Sequence, residues 1–517
     1  MITKLRRSIL RVSRVAFLRV AVVLLAIAGC SDHMWDAFGP AILPLLAILL
    51  RHTTHQMPLA LTSPALAPTA KVVTAPVAKS GNTLDLGAVA HVAGAADTDW
   101  RSDCEVLCVG PDDCAFTLEA LMHGQANPTP ASHSYALAAG HAMLLEDVLV
   151  AEFGRDGKAA LRLVATAGSV VATDRTYNLL AAGNGLGLPA GATFGQYIPA
   201  VRAGTAIAAG NEGRLIQLQH TISGGGFRTN LGLVNVTGVA TAVKVDLYRA
   251  NGVKLGTVSR TLAGFEYRQI GNVFDDVTSG NVEDGYAVVS TSTEGAAFLA
   301  HASVVDNATG DPVFVPALLR RGGGKKRVQA PQFIAAAAHI RGAADTNWRT
   351  DVELHNAADA PAQVTLELLE HGKDNSTPRS EAVTVAAGSS RRFEDVLETV
   401  FDFSGKAALR VTADGGEVLV SSRTYNLIGA KAAASLPPGA TLGQFIPAAG
   451  ETDTIHRGDT GLLIQLAQSA SDTTGFRANL ALVSSRTFPI TVDVEAVAAD
   501  GTSLGSFQVP LKPLEYR

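Results

Sequence analysis

Short runs along this 517-residue chain alternate strictly between apolar and polar positions. Val243, Val245 and Leu247 are separated by Lys244 and Asp246, and Val364, Leu366 and Leu368 by Thr365 and Glu367. A period of two sends every second side chain to the same face, so these runs predict strands with one buried face. Turn signals bracket them: Asn251-Gly252, Gly415-Gly416, Pro437-Pro438-Gly439 and Asp500-Gly501 allow reversals that β-branched residues could not make. Two stretches break the pattern. Leu145 to Phe153 and Phe393 to Phe401 space their apolar residues three and four apart, which predicts a short helix or helical turn crossing between sheets. The expected fold class is all-β, as tandem antiparallel β-sandwiches of immunoglobulin-like type.

The pattern repeats on a large scale. HVAGAADTDWRSD from His91 returns as HIRGAADTNWRTD from His339, and Trp100 returns as Trp348, an offset of 248 positions. GKAALRL from Gly157, RTYN from Arg175 and GATFGQYIPA from Gly191 keep that offset; after one inserted residue it becomes 249, so FEYR ending at Arg268 meets LEYR ending at Arg517. Beyond Arg268 the first copy runs on through YAVVSTS from Tyr286 to DPVFVPA ending at Ala317. The second copy carries no counterpart of that stretch, so the last domain is expected to be truncated. Each large unit is itself double, because RTNLGLVN from Arg228 resembles RTDVELHN from Arg349. Four related modules of roughly 110 residues follow, an ordinary domain size.

The expected organisation is a signal peptide with lipobox at 1–30, an apolar segment and flexible stalk at 31–84, and a first sandwich at 85–203. A second sandwich at 204–317 and a basic glycine-rich linker at 318–331 come next. The third, at 332–450, repeats the first, and the fourth, at 451–517, repeats the second in truncated form.

Composition adds exclusions. A hydrophobic fraction of 47% supplies several cores, while 17% charged residues and a net charge of −5 leave no basic footprint for nucleic acid. At the N-terminus a basic start, Lys4 to Arg19, precedes an apolar stretch, Val20 to Gly29, too short to span a bilayer. That layout is an export signal. Ala37 to Leu50 is a second apolar stretch, interrupted by Pro40 and Pro44 and short for a membrane helix.

Beyond Cys30 the cysteines are Cys104, Cys108 and Cys114, all in the first module. Cys108 and Cys114 flank a hairpin loop and can close a small disulfide, leaving Cys104 as a buried free thiol. A three-cysteine metal site is the rival, with the wrong spacing for zinc. His91 with His339, and His123 with His371, recur at the repeat offset, but none shows the paired helical spacing of a zinc hydrolase, so structural or solvated roles are expected. Asp97, Asp99 and Asp103 around Trp100, and Asp345 and Asp351 around Trp348, are candidate calcium ligands, set against the plainer reading of turn-capping side chains. Tyr177 and Tyr425, in the two RTYN segments, are expected to bond the backbone across a sandwich corner. No nucleophile elbow or other catalytic motif is present, and Glu146-Asp147 and Glu394-Asp395 are adjacent residues that point apart. No catalytic residue is expected.

Two resemblances rest on these residues. Ile27-Ala28-Gly29-Cys30 resembles the bacterial lipobox, which implies lipidation of Cys30 and a membrane anchor through that lipid. Over residues 85–517, the V-x-V-x-L strands, glycine turns and closing I-P-A resemble bacterial immunoglobulin-like and cell-adhesion-related β-sandwich repeats of exported proteins. The implied protein is an exported envelope or surface protein acting as a spacer or adhesion array, with an unknown protein or glycan partner. The alternatives are a glycan- or protein-binding module, or the non-catalytic stalk of an enzyme whose catalytic domain lies beyond residue 517.

Overall fold

The protein is described by a computed structural model over residues 76–95, 97–321, 329–342, 346–429, 436–470 and 475–517. Cys30, the Ala37–Leu50 stretch, Asp345 and most of the glycine-rich linker lie outside the described residues. Among the described residues the chain is nearly all β, in antiparallel sheets that form tandem sandwiches. No helix there is long and apolar enough to cross a membrane.

In the first module one sheet runs Ala131–Leu137, Cys114–Met122, Gly157–Ala167, Thr83–Ala93. The other runs Ala142–Leu145, Asp99–Cys108, Ser169–Leu179, Thr193–Pro199. Alternation points Leu84, Leu86, Phe116, Leu118, Leu161 and Leu163 of the first sheet at Cys104, Val106, Val170 and Ala172 of the second. Burying side chains of this size stabilises by roughly 1.5–3 kcal/mol each. The expected helical stretch is a single turn, Val148–Ala151, whose Val148 and Leu149 plug the core. Its repeat, Val396–Thr399, does the same in the third module. Thr83–Ala93 serves both sheets: its register breaks between Leu86 and Val89, and its end, Val92 and Ala93, pairs with Trp100 and Asp99.

The third module repeats this plan strand for strand. One difference concerns the hairpin after the second strand. Cys108 and Cys114 are disulfide-bonded there, with Cα atoms 5.7 Å apart, and Cys104 is free and buried. In the third module Asn356 stands at the place of Cys108 and pins the turn by donating to Ala360 O and Val385 O at 2.8 and 3.1 Å. In the second module Asn235 does so with Val239 O and Ala263 O, both at 2.7 Å.

In the second module Thr241–Arg249 and Asn211–His220 flank Val282–Thr291 in one sheet, and Phe227–Asn235 pairs with Ala297–Asp306 in the other. The linker expected from Leu318 begins later, because Leu318–Arg321 adds as an edge strand to Asn211–Arg214. Among the described residues of the fourth module only Ile490–Val497 and Ser503–Leu511 form a ladder, joined by the turn at Gly501 with φ 76°. Residues 459–468, counterpart to the 211–220 strand, form no strand, since a strand exists only against a partner and among the described residues none stands where Val282–Thr291 stands in the second module.

The modules contact one another in a closed cycle that follows the sequence duplication. Asn127 of the first module donates to Phe265 O of the second at 2.9 Å, and its counterpart Asn375 of the third donates to Leu514 O of the fourth at 3.0 Å. The Ser390 amide donates to Ala250 O at 2.7 Å across the junction of the third and second modules. The Ala142 amide donates to Ala499 O at 2.8 Å across the junction of the first and fourth. Each partner of one bond is the repeat counterpart of a partner of the other. At the centre the closing strand of the second module, Pro312–Pro316, packs on Thr193–Pro199 of the first and Thr441–Pro447 of the third.

Candidate functional site

A polar constellation that occurs twice is built around the residue that precedes each helical turn. Asp147 holds a left-handed backbone, φ 47° and ψ 51°, a conformation that Asp tolerates better than most residues. Its amide donates to Asp103 Oδ1 at 2.9 Å, and its carboxylate receives His91 Nδ1 at 2.9 Å. Arg101 lies 3.6 Å from the same carboxylate and 2.6 Å from Asp99. Tyr177 completes the set, its hydroxyl donating to Asp103 Oδ1 at 3.1 Å while the Arg175 guanidinium covers its ring at 4.7 Å. The third module reproduces the set except for Asp99, whose place Asn347 takes. His339 and Arg349 reach Asp395 at 2.8 and 2.9 Å, the Asp395 amide donates to Asp351 at 2.9 Å, and Tyr425 donates to Asp351 at 3.0 Å under Arg423.

The chemistry of this cluster is that of a clamp. Each carboxylate is already met by an amide, a guanidinium, an imidazole or a phenol, and among the described residues no serine, threonine or cysteine side chain bonds the histidine ring. Burial pushes the Tyr177 and Tyr425 hydroxyls up, with the charges of Asp103 and Asp351 adding to it, so both remain protonated donors. Burial also raises the Asp351 carboxyl. The cluster ties the bent first strand, the second strand, the helical turn and the penultimate strand together at one end of the sandwich.

Several expectations need correction here. The tyrosines bond a carboxylate side chain, not the backbone across a corner. The calcium candidates do not converge: Asp99 is paired with Arg101, and Asp103 and Asp351 accept from amide and phenol. Asp97 sits exposed in a left-handed turn with φ 57°. Among the described residues no three His, Cys, Asp or Glu side chains come together in a way that could hold a metal ion. Asp147 and Asp395, set aside as members of adjacent acidic pairs, are the centre of the cluster. Their signal was available: His91, Arg101, Asp103, Asp147 and Tyr177 all return at the single offset of 248.

The other recurrent histidines sit at module junctions. His123 packs edge-on against Tyr267 of the second module at 5.8 Å, and His371 against Tyr516 of the fourth at 5.6 Å. Between the second and third modules, buried Arg392 bridges Asp284 at 2.9 Å and Glu353 at 3.1 Å, and the Tyr286 hydroxyl donates to Gly388 O at 2.6 Å. A small cavity beside them, lined by Gln217, Asp351, Arg392 and Arg423, has room for about one water molecule. Gln217 Nε2, Arg392 Nε and Arg423 Nε have no protein partner, which suits a bridging water.

No family model and no curated protein matches the chain. Among solved structures, Thermotoga maritima 1070 covers 24% of this chain and 97% of its own length at 11% identity, with a TM-score of 0.19. A GH78 family rhamnosidase of Bacillus sp. GL1 covers 74% of this chain and 54% of its own at 8% identity, with a TM-score of 0.13. An anti-sigma factor domain-containing protein follows at 6% identity and a TM-score of 0.11. Likenesses this low identify neither a fold relative nor an activity for this chain.

Proposed function

We propose that this is an exported bacterial envelope protein, anchored through a lipid on Cys30, whose β-sandwich modules form a non-catalytic scaffold for adhesion or protein interaction. The observation that carries the scaffold reading is where the recurrent residues are spent. His123 and His371, Asn127 and Asn375, and Tyr267 and Tyr516 dock one module on the next. The His91 and His339 clusters brace sandwich ends. Duplication has thus preserved the means of holding modules together. The closed cycle of contacts favours a compact interaction body over an extended spacer. The N-terminal lipobox resemblance and the apolar stretch before it support export and anchoring.

The test uses the full chain expressed in a Gram-negative host supplied with a clickable fatty acid. The expected outcome is label on the wild-type chain, none on Cys30→Ser, and membrane fractionation of the wild type alone. Equal labelling of both, or a chain retained in the cytoplasm, contradicts the proposal.

A further inference from the structure

The junction of the first module with the second and that of the third with the fourth are built alike, yet they differ at a buried position. Asp85, Arg162 and Glu119 stand side by side on three paired strands, Asp85 opposite Arg162 and Arg162 opposite Glu119. Residues directly opposite one another share a face. This face meets the second module. The Phe265 ring covers the Arg162 guanidinium at 4.4 Å, and at Gly87, two residues on from Asp85, a Cβ would come within 2.9 Å of His301 Nδ1. The third module keeps the row as Arg410 and Glu367, but Phe333 takes the place of Asp85 and joins an apolar cluster with Leu514 and Tyr516 of the fourth.

Asp85 is buried in its row without a hydrogen bond. It is 1% exposed, and neither carboxylate oxygen finds a partner among the described residues. The neighbouring guanidinium is already engaged, Arg162 Nε donating to Glu119 Oε2 at 2.6 Å. Arg202, on the short strand that pairs with Leu84 and Asp85, is exposed and donates to Val77 O at 3.2 Å. Across the junction, Glu266 is held by the Ala263 amide and by Arg268 at 2.6 and 2.7 Å, and burial holds the His301 ring neutral, its pKa down to about 4. Burial disfavours a carboxylate far more than a neutral carboxyl. It pushes Asp85 up to about 7, with Arg162 pulling the other way and Glu119 adding to the rise.

We propose that Asp85 is a proton-operated latch on the junction of the first and second modules: protonated, it lets the modules close over it, and ionised, it favours their separation. The geometry sets the direction. In the closed junction the carboxylate has lost its water and gained no donor, whereas an opened junction hydrates it. Between pH 3.8 and 7 the closed form therefore holds the extra proton, and closure weakens as the pH rises. Above about 7 the loss is complete. The junction of the third and fourth modules, with Phe333 at the same place, carries no such group. The latch rests on the junction alone and not on export or anchoring.

The test is hydrogen exchange on the full chain from about pH 5 to about pH 8, read as protection of amides that cross the two junctions. Gly124 and Asn127 donate to Tyr267 O and Gly264 O at 2.9 and 3.1 Å, and their counterparts Gly372 and Asn375 donate to Tyr516 O and Pro513 O at 2.8 and 3.0 Å. Protection at Gly124 and Asn127 should fall by about a hundredfold over that range, as a carboxyl moved from 3.8 to about 7 by closure requires. Protection at Gly372 and Asn375 should not follow it. Asp85→Asn, which keeps the shape and removes the charge, should abolish the fall, and so should Asp85→Phe, which installs the residue of the third module. Two variants are used because either one alone could pack poorly. A fall that persists in either folded variant overturns the proposal, as does a wild type without the fall or an equal fall at both junctions.

Discussion

The second and fourth modules carry the same leucines into different surroundings. Leu215 and Leu218 are 0% exposed, while Leu463 and Leu466, at the same places in the repeat, are 58% and 65% exposed. The Leu-Ile-Gln-Leu run is unchanged, so burial here is decided by strands far away in sequence. Asn211–His220 becomes a strand because Val282–Thr291 pairs with it, and residues 459–468 form no strand without such a partner among the described residues. Local pattern proposes a strand; the ladder makes one.

The largest effect that could break this comparison is a pair of truncations. Leu215→Ala should destabilise the second module by about 3 kcal/mol, because it leaves a cavity in a packed core, whereas Leu463→Ala should change stability by under about 0.5 kcal/mol. Local hydrogen exchange reads both, and equal costs would mean that the two faces are equally covered. Next comes the hairpin pin. Cys108→Ser with Cys114→Ser should cost the first module about 2 kcal/mol. Cys108→Asn with Cys114→Ala, which installs the residues of the third module, should recover part of that loss in denaturant titration.

Junction variants are expected to act more weakly. Asn375→Ala leaves Leu514 O without its donor and should loosen the fourth module by about 1.5 kcal/mol, seen as faster cleavage within 490–511. Asn127→Ala should cost a similar amount at the first junction yet leave the second module folded, because its core is closed by its own strands.

The smallest effect concerns pH. Burial pushes the pKa of His301, on the Ala297–Asp306 strand, down to about 4. Between pH 6.5 and 4 the unfolded chain therefore binds the extra proton, and stability falls as the pH falls. Burial pushes the Asp311 carboxyl up to about 7, so between 3.8 and 7 the folded chain binds the extra proton and stability rises as the pH falls. The wild type minus His301→Gln isolates the histidine: going from pH 6.5 to 5.5 should cost the wild type about 1 kcal/mol more than the variant. The same slope in both would show that the ring titrates freely.

Much of the fold was legible. Alternation placed Val243, Val245 and Leu247 on a buried face, glycines placed the turns at Gly252 and Gly501, and loop spacing paired Cys108 with Cys114. The helical turns were visible as well, though each is shorter than its apolar spacing suggested. The clamp was not read, because His91 and Asp147 lie 56 positions apart and meet only after the first strand bends into the second sheet. The cycle of modules was further out of reach. Gln465 reaches Asp103 O across 362 positions, and periodicity within a strand carries no information about such a contact. The duplication held the missing clue, since polar residues kept at one offset in both units were the ones that meet.

The most direct test of the unequal pair is hydrogen exchange on the intact chain, comparing backbone amides at 215–218 with those at 463–466 in one sample. The expected result is protection at 215–218 at least about a hundredfold above that at 463–466, as for closed and open sheet edges. Equal protection would contradict the account, because it would mean that the face of the fourth module is already covered.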